Sequence, residues 1–238
     1  VGVAVFFHAD LGGDELVLDG PEGRHAAVVR RIDAGERIRL TDGCGAWAEG
    51  PVVGASKAGL SVAVDERGTV PAAHPRVVVV QAVPKGERAE PAVEMLTEVG
   101  VDVIVPWNAE RSQFRANPER MEKMLAKWRA WAFEASKQSR RTWFAEVAPL
   151  ASTAEVADRL ARAALPVVLH EEATTPLASL TVPASGDIVL VIGPEGGIAP
   201  TELKTFDVDP VRLGDTVLRT STAGVAAAAA LFTRSRWA

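Results

Sequence analysis

The run Ile188-Val189-Leu190-Val191-Ile192 is apolar at every position and stops abruptly at Gly193-Pro194-Glu195-Gly196-Gly197. A strand with no polar position needs cover on both faces, a need that parallel sheets clothed by helices meet. The glycine turn with Pro200 behind it predicts strand, tight turn, and a helix that opens on the proline. The segment from Val211 to Leu231 repeats the plan with a short strand, Gly214, a compact turn and an alanine-rich helix capped by Thr220 or Ser221. Two glycine-bearing turns after two strands predict a ligand pocket at one edge of an α/β sheet. Without a Cβ, glycine lets the backbone approach a ligand closely. Taken alone, the first turn has a plainer alternative, in which it only reverses the chain.

Phosphate loops fit this pattern poorly. No G-x-x-x-x-G-K-[ST] occurs, and rigid Pro194 beside anionic Glu195 makes a poor pyrophosphate cradle. A neutral or cationic ligand suits the turn better.

Around this centre the chain changes period. From Val3 to Val64 the pattern is short, β-branched and punctuated by glycine, with strands expected at Val3–Phe7, Glu15–Leu18, Arg37–Thr41, Ala46–Val53 and Leu60–Val64 and a short helix near Gly23–Arg30. Strands so closely spaced predict a small barrel. The proline-bearing stretch Gly68 to Pro75 reads as a linker. Beyond it, strands at Val77–Ala82, Val103–Val105, Val167–Leu169, Ile188–Ile192 and Val211–Leu213 alternate with helices, which predicts a largely parallel sheet covered on both faces. Asn117-Pro118 opens a long amphipathic helix whose buried face carries Met121, Met124, Leu125, Trp128, Ala132 and Ala135. Ser152 and Glu155 form a capping-box signature for the next helix, which ends before Pro166. The expected domains are 1–70 and 76–238.

Composition sets outer bounds. With 238 residues, 47% of them hydrophobic, the chain can bury a sizeable core in one or two domains. A lone Cys44 forbids an internal disulfide and suits a reducing cytoplasm. No apolar run approaches the roughly 18 residues that span a bilayer, and Val1–Phe7 lacks the basic region of a signal peptide. A net charge of −5 argues against a nonspecific nucleic-acid binder. Yet Arg24, Arg30, Arg31, Arg37 and Arg39 crowd one short span opposed locally by Asp33 and Glu36, enough for a local basic face. No His/Cys/Asp/Glu cluster has metal-ligand spacing, so neither His25 nor His170 is a metal-ligand candidate.

Together the two glycine turns resemble the SPOUT class of S-adenosylmethionine-dependent RNA methyltransferases, and within it the RsmE family, which methylates the N3 imide nitrogen of a uridine in 16S ribosomal RNA. Further matches span nearly the whole chain. Glu22 to Gly45 is similar to a His-x-x-x-Val-x-Arg element followed by a strand. Gln81 to Ser112 is similar to a Lys-Gly turn, a Glu-Leu-Gly helix end and a Glu-Arg-Ser turn, and Glu134 to Arg141 to a Glu-Ala-x-x-Gln-Ser-x-Arg helix end. Val99 stands where leucine is common and Ser221 where an acid is frequent, and Pro91 interrupts a helix start that usually runs through.

The resemblance implies an N-terminal PUA-like β-barrel that docks RNA. It also implies a C-terminal domain knotted as a deep trefoil, S-adenosyl-L-methionine as cofactor, 16S ribosomal RNA or the small ribosomal subunit as partner, a homodimer, no metal and no membrane. Trp128, Trp131, Trp143 and Trp237 are candidate dimer or core residues. Gly193, Gly196 and Gly197 are the expected cofactor wall, with Leu169 as a third side. Leu213, Gly214, Leu218 and Thr222 clasp the adenine, Leu213 and Leu218 having plain core packing as their alternative. Arg219 either meets substrate phosphate or forms a structural ion pair, and Glu195 either orders the turn or accepts a proton. Arg111, Gln138 and Arg140 are polar groups expected near the target base, with helix capping or solvated surface as the alternative. Arg24, Arg30 and Arg31 are expected on RNA phosphate. Competing functions are a ribose 2′-O or other-site RNA methyltransferase, and a noncatalytic RNA-binding module of ribosome assembly.

Overall fold

The computed structural model describes residues 2–84, 86–112 and 117–237. Lys85 of the expected Lys-Gly turn lies outside the described residues. The chain forms two compact units: Val1–Ala72 with Ser136–Phe144, and Ala73–Ala135 with Ala145–Ala238.

The first unit is built on a six-stranded sheet of β1 (Ala4–Phe7), β2 (Glu15–Leu18), β3 (Arg37–Thr41), β4 (Ala46–Ser56), β5 (Gly59–Ala63) and β6 (Glu66–Thr69). Hydrogen-bonded neighbours run β1-β3-β4-β5-β2, and β6 pairs with β4. The long β4 serves β3, β5 and β6, with an irregularity between Val52 and Gly54 where its partnership with β5 shifts register. Phe6, Leu16, Leu18, Ile38, Leu40, Val52, Leu60 and Val62 fill its core. β6 occupies the start of the expected linker: Glu-Arg-Gly-Thr carries no apolar alternation, and pairing with Trp47 and its neighbours makes it a strand. The expected short helix is α1 (Gly20–Arg24), which widens into a π turn over His25–Val29.

The second unit is a five-stranded parallel sheet ordered β10-β11-β7-β8-β9, formed by β7 (Arg76–Ala82), β8 (Val103–Trp107), β9 (Glu146–Val147), β10 (Leu165–Val168) and β11 (Asp187–Ile192). Alternate residues feed two cores. Val77, Val79, Ile188, Leu190 and Ile192 pack with α2 (Ala89–Val99), with Trp128 and Ala132 of α3 (Pro118–Gln138), and with α6 (Thr220–Phe232). Val78, Val80, Val105, Val189 and Val191 pack with α4 (Thr153–Arg162) and α5 (Pro200–Phe206). Both faces of β11 are therefore covered, as an all-apolar strand requires.

Local signals set the helix ends. Pro91 is the third residue of α2, within the first turn where a missing N–H is tolerated. Ser152 and Glu155 exchange hydrogen bonds as a full capping box on α4, and Pro200 opens α5. Two expectations need correction. The residue that caps α6 is Arg219, not Thr220 or Ser221, and its first turn is closed by Thr222, whose N–H and hydroxyl both donate to the Arg219 carbonyl at 2.9 and 3.2 Å. Nor do Val211–Leu213 form a strand. Val211 and Arg212 instead make single bridges to Leu169 and Pro176, so this stretch is held on both sides by one loop. No helix among the described residues is long and apolar enough to cross a membrane.

Candidate active site

A cavity of about 360 Å³ opens in the second unit beyond the end of β11, within the size range of small-molecule sites. Leu169, Gly193, Glu195, Gly197, Leu213, Gly214, Leu218 and Arg219 all line it. The segments after β10, after β11 and before α6 thus converge although some 50 residues separate the first from the last. Ile192, Ile198, Val217 and Ala223 add apolar wall; Arg88, Glu171 and Asp215 add charge.

Two glycines have geometric reasons. A Cβ at Gly193 would stand 2.7 Å from Ile198 Cγ1, and Gly197 adopts φ +72° to close the turn, its N–H donating to the Pro194 carbonyl at 2.9 Å. Gly196 is not on the cavity wall. A Cβ there would meet Arg111 Cβ at 3.2 Å, so its missing side chain accommodates Arg111. Arg111 itself donates to the Gly196 carbonyl at 3.2 Å and braces the turn from outside the cavity. Thr222 also lies off the wall, occupied by the capping role above. Gly214 lines the cavity, and a Cβ added to it would meet no protein atom within 4 Å.

Sequence reasoning missed the residue that ties these turns together. Glu202 on α5 is 3% exposed, and its carboxylate accepts from Glu110 N–H at 2.8 Å, Ala199 N–H at 3.0 Å and Thr153 Oγ1 at 3.1 Å. Ala199, the residue before Pro200, offers no side-chain oxygen, so only the return half of a capping box exists there. Glu202, three residues beyond the N-cap Ala199, was the available signal. The carboxylate anchors the Glu110-Arg111 turn, and Arg111 reaches the Gly196 carbonyl from it.

Comparison with known proteins decides the family. Residues 72–232 match a family model described as an RNA methyltransferase domain, and residues 18–65 match an RNA methyltransferase PUA domain. Ribosomal RNA small subunit methyltransferase E of Mycobacterium bovis is 43% identical over 99% of this chain and 94% of that protein. The chain belongs to the RNA methyltransferase family. The Bacillus subtilis protein of the same name is 27% identical over 90% of the chain and 88% of that protein. A Legionella pneumophila family structure, a putative methyltransferase with bound cofactor SAM, superposes with TM-score 0.88 at 27% identity over 99% of both chains. The Neisseria gonorrhoeae small subunit methyltransferase E bound to S-adenosyl methionine gives TM-score 0.85 at 25% identity over 98% of both.

The residues expected to contact RNA lie in the first unit. Arg30, Gln138 and Arg140, far apart in sequence, line one cavity of about 150 Å³ with His25 and Lys137. Arg24 and Arg31 are exposed but lie off that cavity. Arg37 and Arg39 are already engaged: Arg37 holds Asp65 through two hydrogen bonds of 2.7 and 2.8 Å, and Arg39 pairs with Glu49 at 2.8 Å and stacks over Trp47. The Arg37 guanidinium holds the Asp65 carboxyl below the usual carboxylate range. Strand pairing thus supplies counter-ions that the local sequence lacks, and the basic face reduces to Arg24, Arg30 and Arg31. Arg219 is exposed at the rim of the larger cavity, and no ion pair involves it among the described residues. Those residues hold no group of three or more His, Cys, Asp or Glu able to bind a metal.

Proposed function

We propose that the protein methylates the N3 imide nitrogen of a uridine in 16S ribosomal RNA, with S-adenosylmethionine held in the 360 Å³ cavity. The observation that carries this is the convergence of the two glycine turns and Leu169 on one cavity where apolar side chains stand beside three carboxylates, Glu171, Glu195 and Asp215, and three arginines, Arg88, Arg212 and Arg219. The apolar side chains suit an adenosyl group, and the carboxylates offer a sulfonium its counter-charge. Family relatives of known structure bind the same molecule.

The cofactor supplies a methyl activated on sulfur. The chain's own residues orient it, exclude water and manage the charge that develops as the imide nitrogen loses its proton. Arg219, at the rim and without an ion pair among the described residues, serves uracil carbonyls that gain negative charge. Glu195 on the glycine turn is the carboxylate proposed to take the proton. Arg111 acts at one remove by fixing the Gly196 carbonyl.

In the same proposal the first unit is a PUA-like barrel that docks RNA through Arg24, Arg30, Arg31, Gln138 and Arg140, and the second is a trefoil-knotted domain. The two-sided grip on Val211–Arg212 supports the knot: Val211 exchanges hydrogen bonds with Val168 and His170, and Arg212 with Thr175 and Leu177, all at 2.8–3.0 Å. A chain bridged on both sides by one loop before it returns to the sheet as α6 fits a threaded crossing. The working state is a cytoplasmic homodimer, for which exposed Val217 and Trp237 offer apolar contact.

Gly214→Val tests the cofactor assignment, because a Cβ added there meets no protein atom within 4 Å. Calorimetry should show a folded protein that has lost S-adenosylmethionine binding, and unchanged affinity refutes the assignment. Arg219→Ala should lower kcat by about 10²-fold while RNA affinity holds. Nucleoside analysis of methylated 16S ribosomal RNA should give 3-methyluridine; 2′-O-methyl product instead assigns the ribose chemistry.

A further inference from the structure

The first unit's cavity brings together two arginines that stand more than a hundred residues apart in sequence. Arg30 and Arg140 both line it, yet each is the residue before the arginine that completes a family-like motif, Arg31 and Arg141. The π turn over His25–Val29, closed by the Arg30 N–H on the His25 carbonyl at 2.9 Å, brings Arg30 to the wall beside His25. Such turns recur at functional sites. Arg140 sits just past the end of α3 at φ +58°, a left-handed position that usually goes to glycine. Its guanidinium lies against the backbone of Gly2, so closely that a Cβ on Gly2 would coincide with it. Strain of this kind is retained where the surroundings over-determine it.

Charge sets the ligand class. Lys137, 5% exposed, is bound to Glu22, so that carboxylate is already neutralised. Neither Arg30 nor Arg140 has a carboxylate partner among the described residues. Two guanidiniums, an imidazole and the Gln138 amide therefore line one space with no counter-ion among the described residues. That space is below the roughly 300 Å³ at which small-molecule sites begin, and equals about five waters' share of liquid volume. It suits a single tetrahedral oxyanion, which guanidinium forks match well.

We infer that this cavity seats one phosphodiester of the RNA, gripped jointly by Arg30 and Arg140. The inference rests on the reading of the chain as an RNA methyltransferase and sets the register at which the first unit holds its substrate. The full-length chain is titrated with transcribed 16S ribosomal RNA over a range of salt, as wild type, Arg30→Gln, Arg140→Gly and the double variant. Losing one phosphate contact flattens the slope of log K against log salt by roughly 0.7–0.9. The double variant should show that single loss, and its affinity should fall by less than the product of the two single-variant losses, because both side chains serve one phosphate. Arg140→Gly should melt no lower than wild type, since glycine accepts the left-handed conformation, so weaker binding in it is not misfolding. An unchanged slope in the double variant, or a flattening twice as large, overturns the shared site. Methyl transfer by the wild type is followed in parallel. Lost transfer with the expected slope change overturns the catalytic proposal and supports the subsite.

Discussion

Replacing Glu202 with alanine removes the one carboxylate that closes three donors behind the glycine turn. Hydrogen bonds to a charged group contribute roughly 1.5–3 kcal/mol each, and a buried donor left without an acceptor costs about 1–3 kcal/mol. Ala199 N–H is buried, whereas Glu110 N–H and the Thr153 hydroxyl are only part-buried and regain some water. The expected loss is therefore about 3–5 kcal/mol, short of the full sum. For a unit of this size, ~2–4 °C accompany each kcal/mol, so the melting midpoint should fall by roughly 6–20 °C. Glu202→Gln should lose about half as much, because one amide oxygen still accepts while the amide nitrogen confronts a backbone donor. Cofactor affinity at a temperature where Glu202→Ala is folded should also drop, as the Arg111 turn loses its anchor. Scanning calorimetry and cofactor titration check both. A change below about 1 kcal/mol with unaltered affinity shows that α5 does not position the turn.

Two further outcomes concern helix electrostatics. Burial first, and then the neighbouring charges of Glu90 and Glu98, raise the Glu94 carboxyl above its usual range. A raised folded value means stability is lost as pH rises through it, so Glu94→Gln should melt higher at pH 7, by about 0.2–0.5 kcal/mol per relieved i,i+4 pair. That gain should vanish below the ordinary glutamate value near ~4.3, and melts of equal stability at pH 7 refute it. Glu155 has the opposite sign. The Ser152 N–H and hydroxyl hold its carboxyl below the usual range, so its stabilisation is complete above ~4.3 and is lost as pH falls through the lower folded value. Urea melts of wild type and Glu155→Gln should diverge at neutral pH and converge in acid.

What the sequence made legible follows the range of each signal. Ser152-x-x-Glu155, Pro118 and Pro200 act within one turn, and each marks a helix start in the structure. The apolar runs of β7 and β11 declare two-sided burial without reference to partners. β6 and β9 stayed hidden because Glu66–Thr69 and Glu146–Val147 are strands only through their neighbours. Val211–Leu213 looks like a strand but is pinned by one bridge on each side. For the candidate site, the glycine turns were readable as local punctuation. That Gly196 yields to Arg111, and that Arg37 and Arg39 are already paired, depends on contacts across the fold.

The middle of the chain has a consequence for anyone who would cut this protein in two. Ser136–Phe144 belongs with the first unit although it lies deep inside the sequence of the second. The polypeptide therefore passes between units three times, and cleavage near Gly68–Pro75 would strand a peptide whose Thr142 carbonyl accepts from Gly45 N–H and whose Trp143 indole donates to the Val70 carbonyl. A ribosome must deliver residue 144 before the amino-terminal unit can finish folding, by which time β7 and β8 of the second sheet have been made while β9, β10 and β11 are still to come. The two units are coupled by the order of synthesis. Neither can be exchanged for a foreign counterpart by a single splice, and a graft would need matched junctions at 72/73, 135/136 and 144/145.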